Sequence, residues 1–144
     1  MPKTYLIDTN IFLEIMLSQS RSDECKRLLA MLRDGIVEAV VTDFTIHSII
    51  VLMGRFKRLR ELETFLSSLT AYKGLYVYTT SLADETRAVK TAKEGKLDMD
   101  DAIQYAAALS IDADAIISFD RDLDCLKVPR KEPIQIIRAI KHAR

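Results

Sequence analysis

Glycine and proline are scarce, four and three in 144 residues. So few breakers exclude collagen-like repeats, low-complexity disorder and long flexible linkers. The two cysteines, Cys25 and Cys125, lie far apart with no C-x-x-C spacing, so the expected state is a reduced pair rather than a disulfide framework. The two histidines, His47 and His142, are isolated, and no His/Cys cluster offers a zinc site. An isolated histidine in an apolar helix, as at His47, is more often a satisfied core residue than a ligand. No apolar run approaches the roughly 18 residues of a membrane-spanning helix. The opening stretch does not read as a secretory leader, because Asp8 interrupts its short apolar run. Net charge is absent as well: 21 Lys and Arg balance 21 Asp and Glu. Bulk positive charge is therefore excluded as a means of holding nucleic acid, although an acidic pocket beside a basic rim is not. The expectation is a cytoplasmic protein with no membrane association.

What is present fits one ordinary globular domain over residues 1–144. Hydrophobic residues make up 49% and charged residues 29%, enough for a core without disulfide or metal staples. Short apolar, β-prone runs alternate with helical patterns. Strands are predicted at residues 4–7, 37–41, 75–78 and 115–118, with a last one at 134–137. Helices are predicted at 11–17, 20–32, 43–54, 58–69, 81–95 and 98–111. In the second helix Cys25, Leu28, Leu29 and Leu32 fall at the spacing of one buried face, and Gly35 stands where a helix stops. Asp43 is read as the cap of the third helix. That helix is apolar on most sides (Phe44, Ile46, Ile49, Ile50, Leu52, Met53), which predicts a central or interfacial position. The fourth turns Leu59, Leu62, Leu66 and Leu69 inward, and Ser81 with Asp84 has the spacing of a capping box. Apolar strands separated by helices predict an α/β fold, a parallel sheet covered on both faces. Ligand sites in such sheets lie outside the carboxyl ends of the strands.

Carboxylates gather at those ends. Asp8 follows the first strand directly, and Asp120 and Asp122 follow the strand at 115–118. Asp98, Asp100 and Asp101 crowd the start of an Ala-rich helix, where negative charge is favoured in any case and Asp98 is the natural cap. Asp101 precedes the helix face suited to close packing. Asp100 competes for its place, since adjacent helix positions diverge by about 100°. Each acid alone reads as a cap or a solvated loop charge. Gathered together they repel unless protonated or joined by a cation, and oxygen-only ligands suit Mg²⁺ or Mn²⁺.

Three segments resemble the acidic motifs of PIN-domain ribonucleases, in order and in spacing. They are Leu6, Ile7, Asp8, Thr9 and Asn10; the run from Asp100 and Asp101 through Ala108; and Ile117, Ser118, Phe119, Asp120, Arg121, Asp122 and Leu123. The resemblance covers essentially the whole chain, and its compactness looks like a VapC-type toxin of a toxin–antitoxin pair. It implies a PIN-like fold and Mg²⁺- or Mn²⁺-dependent endonucleolytic cleavage of RNA. Asp8, Asp101 and Asp120 would be the catalytic, metal-binding acids and Asp122 an auxiliary acid. Asn10 and Ser118 would be polar supports, with Asp100 the rival of Asp101. An antitoxin partner and a homodimer are implied too. One position departs from the pattern: where the family usually carries a Glu in the helix after the second strand, this chain has Ser48, beside His47. Asp43 is a possible substitute, although it reads better as a cap.

Phosphate contacts are assigned to Arg55, Lys57 and Arg58, and to Lys127, Arg130 and Lys131 after the last acidic loop. A solvated start of the helix at 58 explains the first group better. No run of aromatics suits base stacking, so cleavage specificity is not legible. Phe56, Phe65 and Tyr72 fit a dimer face or an antitoxin groove. Because of Ser48, a domain that binds RNA or a protein without cutting is the alternative. A receiver-like phospho-acceptor is disfavoured, because no Lys stands at a late strand end.

Overall fold

The computed structural model describes residues 3–143. The first strand, β1 (Thr4–Ile7), runs into helix α1 (Thr9–Met16) and then α2 (Ser22–Arg33). β2 (Glu38–Thr42) leads to α3 (Asp43–Arg55) and α4 (Leu59–Ala71), and β3 (Leu75–Tyr78) to α5 (Leu82–Lys93) and α6 (Met99–Ser110). β4 (Ala115–Ile117), a 3-10 turn (Arg121–Leu123), β5 (Arg130–Lys131) and α7 (Pro133–Ala143) complete the chain. The strands form one sheet in the order β3-β2-β1-β4-β5, every pair parallel. The chain starts in the centre, winds outward to β3, then returns to the other side of β1. The order therefore reverses between β1 and β4, and a crevice opens at their carboxyl ends.

Alternation along the strands divides the core in two. Tyr5, Ile7, Val41, Ala115 and Ile117 face one side, where they meet Phe12, Leu28, Leu32, Ile49, Met53 and Phe65. Leu6 and Ile116 face the other, against Ala102, Ala106, Ala107, Leu123 and Val128. The short side chains of α6 allow its backbone to lie close to the sheet, which carries Asp101 down towards the strand ends. Cys25, Leu28 and Leu32 form the buried face of α2, and Gly35 ends it at φ +76°. The Ser81–Asp84 capping box is present, and no helix among the described residues is long and apolar enough to cross a membrane.

Three local expectations are corrected. Residues 134–137 are not a strand but lie in α7. Pro133 starts that helix, its fixed φ suiting a first helical position, and Ile136 and Ile137 are buried with Ile140 beside them. The last strand is instead the two-residue β5. The cap of α3 is Thr42, whose Oγ1 accepts from Thr45 N at 3.1 Å. Asp43 sits one residue inside and accepts from Phe44 N and from the amide and hydroxyl of Thr80. In α4 the buried residues are Leu62 and Phe65, while Leu59 and Leu66 are exposed. Phe65 meets Phe12 edge-on at 5.2 Å and so belongs to the core, not to a docking face. One face of α3, with Thr45, Ile49 and Met53, points inward, while Val51 is exposed on the other.

Two glycines make opposite predictions. A Cβ on Gly74 would lie 2.0 Å from the Val37 carbonyl oxygen, whereas one on Gly54 meets nothing within 4 Å. Gly74→Ala is expected to cost about 3 kcal/mol by forcing backbone apart. Gly54→Ala is expected to stabilise by about 0.5–1 kcal/mol through helix propensity. Urea denaturation of the two variants checks both signs.

Candidate metal centre

Asp8 leaves β1 at the crevice and begins α1. Its amide extends the β1–β4 ladder by one bond, to the Ile117 carbonyl at 2.9 Å. Its carboxylate is buried and fully engaged. Oδ1 accepts from Thr9 N (2.8 Å) and Gln104 Nε2 (3.1 Å), and Oδ2 from Ser118 Oγ (2.7 Å) and Asn10 Nδ2 (3.3 Å). A carboxylate has about four lone-pair sites, so these four donors fill it. Ser118 Oγ also accepts from the Asp120 amide at 3.0 Å, and Asn10 Oδ1 accepts from Phe119 N at 3.3 Å. Asn10 and Ser118 thus hold the first acidic residue against the last acidic loop.

The network continues inward through a residue that sequence reasoning missed. Gln104 is buried, donates to Asp8 and to Thr45 Oγ1 (2.7 Å), and accepts from Thr42 Oγ1 (2.8 Å). Thr9 and Thr45 hydroxyls meet at 2.9 Å. A signal was available: Gln104 stands three positions after Asp101, on the same helix face, in an otherwise small and apolar stretch. No buried side-chain nitrogen or oxygen among the described residues lacks a partner.

Beside this network lie the acids free to act. One oxygen each from Asp101, Asp120 and Asp122 falls within 4.8 Å of the others. Asp8 is outside that group, although its charge is felt by Asp101. The structure therefore brings Asp122 fully into the cluster. Asp8 stands next to it, where direct ligation requires displacing a donor, most easily Asn10 at 3.3 Å. Asp101 is only 7% exposed, Asp120 is half-buried and Asp122 exposed. Asp120 Oδ1 accepts from Asp122 N at 2.9 Å and so caps the 3-10 turn. Asp100 is exposed and lies outside the group that Asp101 forms with Asp120 and Asp122. Asp98 occupies the cap position of α6 but makes no side-chain cap bond.

Burial pushes the Asp101 carboxyl up to about 7, and the negative charges of Asp120, Asp8 and Asp122 push in the same direction. No ion pair among the described residues reaches Asp8, Asp101, Asp120 or Asp122. An all-oxygen, all-anionic set with a buried member and no basic neighbour fits a hard divalent cation.

The basic candidates scatter. Arg55 is exposed and lines a shallow cavity of about 550 Å³ with Thr9, His47, Ser48 and Asp100, next to the acids. Ser48 therefore lines this cavity, which none of Asp8, Asp101, Asp120 and Asp122 lines, and brings no carboxylate to the cluster. Lys57 is exposed at φ +56°, and Arg58 donates to the Met16 carbonyl in a separate cavity between α1 and α4. Lys127 is exposed and Lys131 half-buried. Arg130 is consumed internally by Asp124, Glu132 and the Ser118 carbonyl.

The raised Asp101 carboxyl sets a pH dependence for the metal-free protein. Between about 4 and about 7 the folded chain holds a proton that the unfolded chain has released, so stability falls as pH rises through that window. Asp101→Asn is expected to be more stable than the parent at pH 8, with the gap closing by pH 4. Mg²⁺ should raise the melting temperature of the parent at pH 8 and leave that of the variant nearly unchanged. Thermal melts with and without the ion check both.

The fold is shared with known proteins. Among solved structures, a toxin–antitoxin complex from Klebsiella pneumoniae aligns with TM-score 0.65 and 22% identity, covering 90% of this chain and 97% of that one. VapC20 of Mycobacterium tuberculosis, a sarcin–ricin loop cleaving toxin, aligns with TM-score 0.67 and 16% identity over 82% and 91% of the two chains. VapBC2 of Rickettsia felis, bound to a DNA fragment from its promoter, aligns with TM-score 0.67 and 15% identity over 90% and 98%. No curated protein matches in sequence. The sequence profile of the PIN domain matches residues 4–122. That stretch runs from the start of β1 through Asp122 and so contains every acid of the cluster; the chain belongs to the PIN domain family.

Proposed function

We propose that this protein is a divalent-metal-dependent endoribonuclease, the toxin of a VapBC-type toxin–antitoxin pair acting in the cytoplasm. The observation that carries the reading is the cluster of Asp101, Asp120 and Asp122 at the switch point of the sheet, with no basic side chain paired to it. A Mg²⁺ or Mn²⁺ ion held there would activate water and neutralise charge on a phosphodiester during in-line displacement. The chain's own part is arrangement. Asp101, on a rigid helix, and Asp120 and Asp122, on a short loop, supply the oxygens. Asp8 adds a fourth negative charge and, with Ser118 and Asn10, holds the loop in register with β1. Gln104 fixes the Asp8 carboxylate from below. Arg55, on the rim beside Thr9 and Asp100, is the basic group nearest in kind to a phosphate contact.

RNA as substrate and an antitoxin protein as partner are supported by the printed descriptions of the structural relatives, one a toxin that cleaves the sarcin–ricin loop and two of them toxin–antitoxin assemblies. A homodimer belongs to the same proposal. The alternative, an RNA- or protein-binding domain that does not cut, is favoured by one observation. The helix after the second strand carries Ser48 where the family usually supplies a further acid, and no carboxylate of that helix joins the cluster.

Incubation of the purified protein with a labelled structured RNA separates the two. The expected result is cleavage that requires Mg²⁺ or Mn²⁺, stops with excess chelator, and falls roughly a hundredfold or more in Asp101→Asn and Asp120→Asn, as loss of a charge-stabilising group should cost. Equal cleavage by parent and variants in chelator sinks the proposal. No cleavage by the parent, with activity gained in Ser48→Glu, favours the binding domain.

A further inference from the structure

We propose that Arg130 is a positioning residue for the acidic cluster, its guanidinium tying together the two ends of the loop that presents Asp120 and Asp122. This rests on the metal-site reading above. Nη1 donates to the Ser118 carbonyl at 3.0 Å and to Glu132 Oε2 at 2.9 Å, while Nε donates to Asp124 Oδ1 at 2.7 Å. Ser118 stands two residues before Asp120, and Asp124 two residues after Asp122. One planar side chain on β5 thus spans the loop, and only 12% of it is exposed. A second arginine reinforces the grip. Arg21 donates to Glu132 Oε1 at 2.6 Å and to Glu24 Oε1 at 2.7 Å, and its guanidinium lies 4.1 Å above the Phe119 ring.

The loop needs such a hold. Asp101 sits on a helix, but past the amide bonds of Phe119 to Asn10 and of Asp120 to Ser118 the loop depends on a single 3-10 turn and the burial of Leu123. Three carboxylates this close repel one another, which favours an open loop whenever no cation is bound. An open loop must be re-ordered on binding, so the apparent affinity drops by the fraction of time it is open. The clamp opposes that opening. The fork geometry matters: a lysine ammonium is a point charge and cannot span Ser118 O, Asp124 and Glu132 in one plane. Because Asp124 and Glu132 already neutralise Arg130, the side chain is not free to meet an RNA phosphate, contrary to the expectation from sequence.

The test uses the full chain with Arg130→Lys, Arg130→Gln and Asp124→Asn. Asp124 is 46% exposed, so its variant carries little risk to folding. Three quantities are measured: Mn²⁺ affinity by calorimetry, amide exchange across residues 118–124 without metal, and RNA affinity in chelator. The expected result for Arg130→Lys and Arg130→Gln is about tenfold weaker Mn²⁺ binding, in line with loss of a group that orients a ligand. Exchange should be faster at Asp120, Asp122 and Leu123, with core amides and RNA affinity unchanged. Asp124→Asn should shift the loop in the same direction by less. Unchanged Mn²⁺ affinity and unchanged loop exchange overturn the proposal. So does weaker RNA binding with a salt slope reduced by about one and no change in the loop, which is the signature of a phosphate contact. If the parent itself binds no Mn²⁺, the metal-site reading fails, and loop exchange in the variants alone decides the clamp.

Discussion

Parallel pairing of β1 with β4 is the constraint on which the rest depends. It brings together stretches of chain that enter the sheet more than a hundred residues apart, and the extra ladder bond from Asp8 N to Ile117 O carries the register past the last strand residue. Once that register is set, Asp8 must face Ser118, and the loop after Ser118 must emerge beside the first turn of α1. The small face of α6 completes the geometry by letting Asp101 reach the same point. Four negative charges then share a space that no arginine or lysine neutralises. Hydrogen-bond donors satisfy one of them, Asp8. The other three are left with repulsion, part of which is relieved by a proton on Asp101 near neutral pH.

The polar interior divides the work. Asp8, Asn10, Ser118, Gln104, Thr42 and Thr45 form a closed hydrogen-bonded set whose members satisfy each other. Such a set is rigid, because loosening any one member strands another in low dielectric. The outer acids are held by a loop and an arginine clamp instead. The result is a stiff inner layer beneath a more adjustable outer one.

Much of this was legible in the sequence where a local rule acts alone. The four apolar runs of β1 to β4 alternate or cluster as buried parallel strands do, and the Ser81–Asp84 box follows from spacing. Asp8 and Asp120 were placeable at one sheet edge because both follow short strands. The failures have physical causes. The run of isoleucines at 134–137 suits strand or helix equally, and only packing against α2 and the proline start decides it. Thr42 and Asp43 both make good caps, and the choice depends on Thr80, far along the chain, which claims Asp43. Asp122, read from the sequence as an auxiliary acid, joins Asp101 and Asp120 through a 3-10 turn whose geometry the sequence does not announce. Arg130 looked like a free cation because the acids that consume it, Asp124 and Glu132, are near in sequence without signalling which way they point.

One feature of the scaffold reaches beyond the site. Asp8 is at once the cap of α1 and a member of the inner network, so starting that helix and assembling the inner layer are the same folding event. The inner recess is built by donors the chain already owns, so its shape is settled by folding alone and owes nothing to whatever later occupies the neighbouring acids.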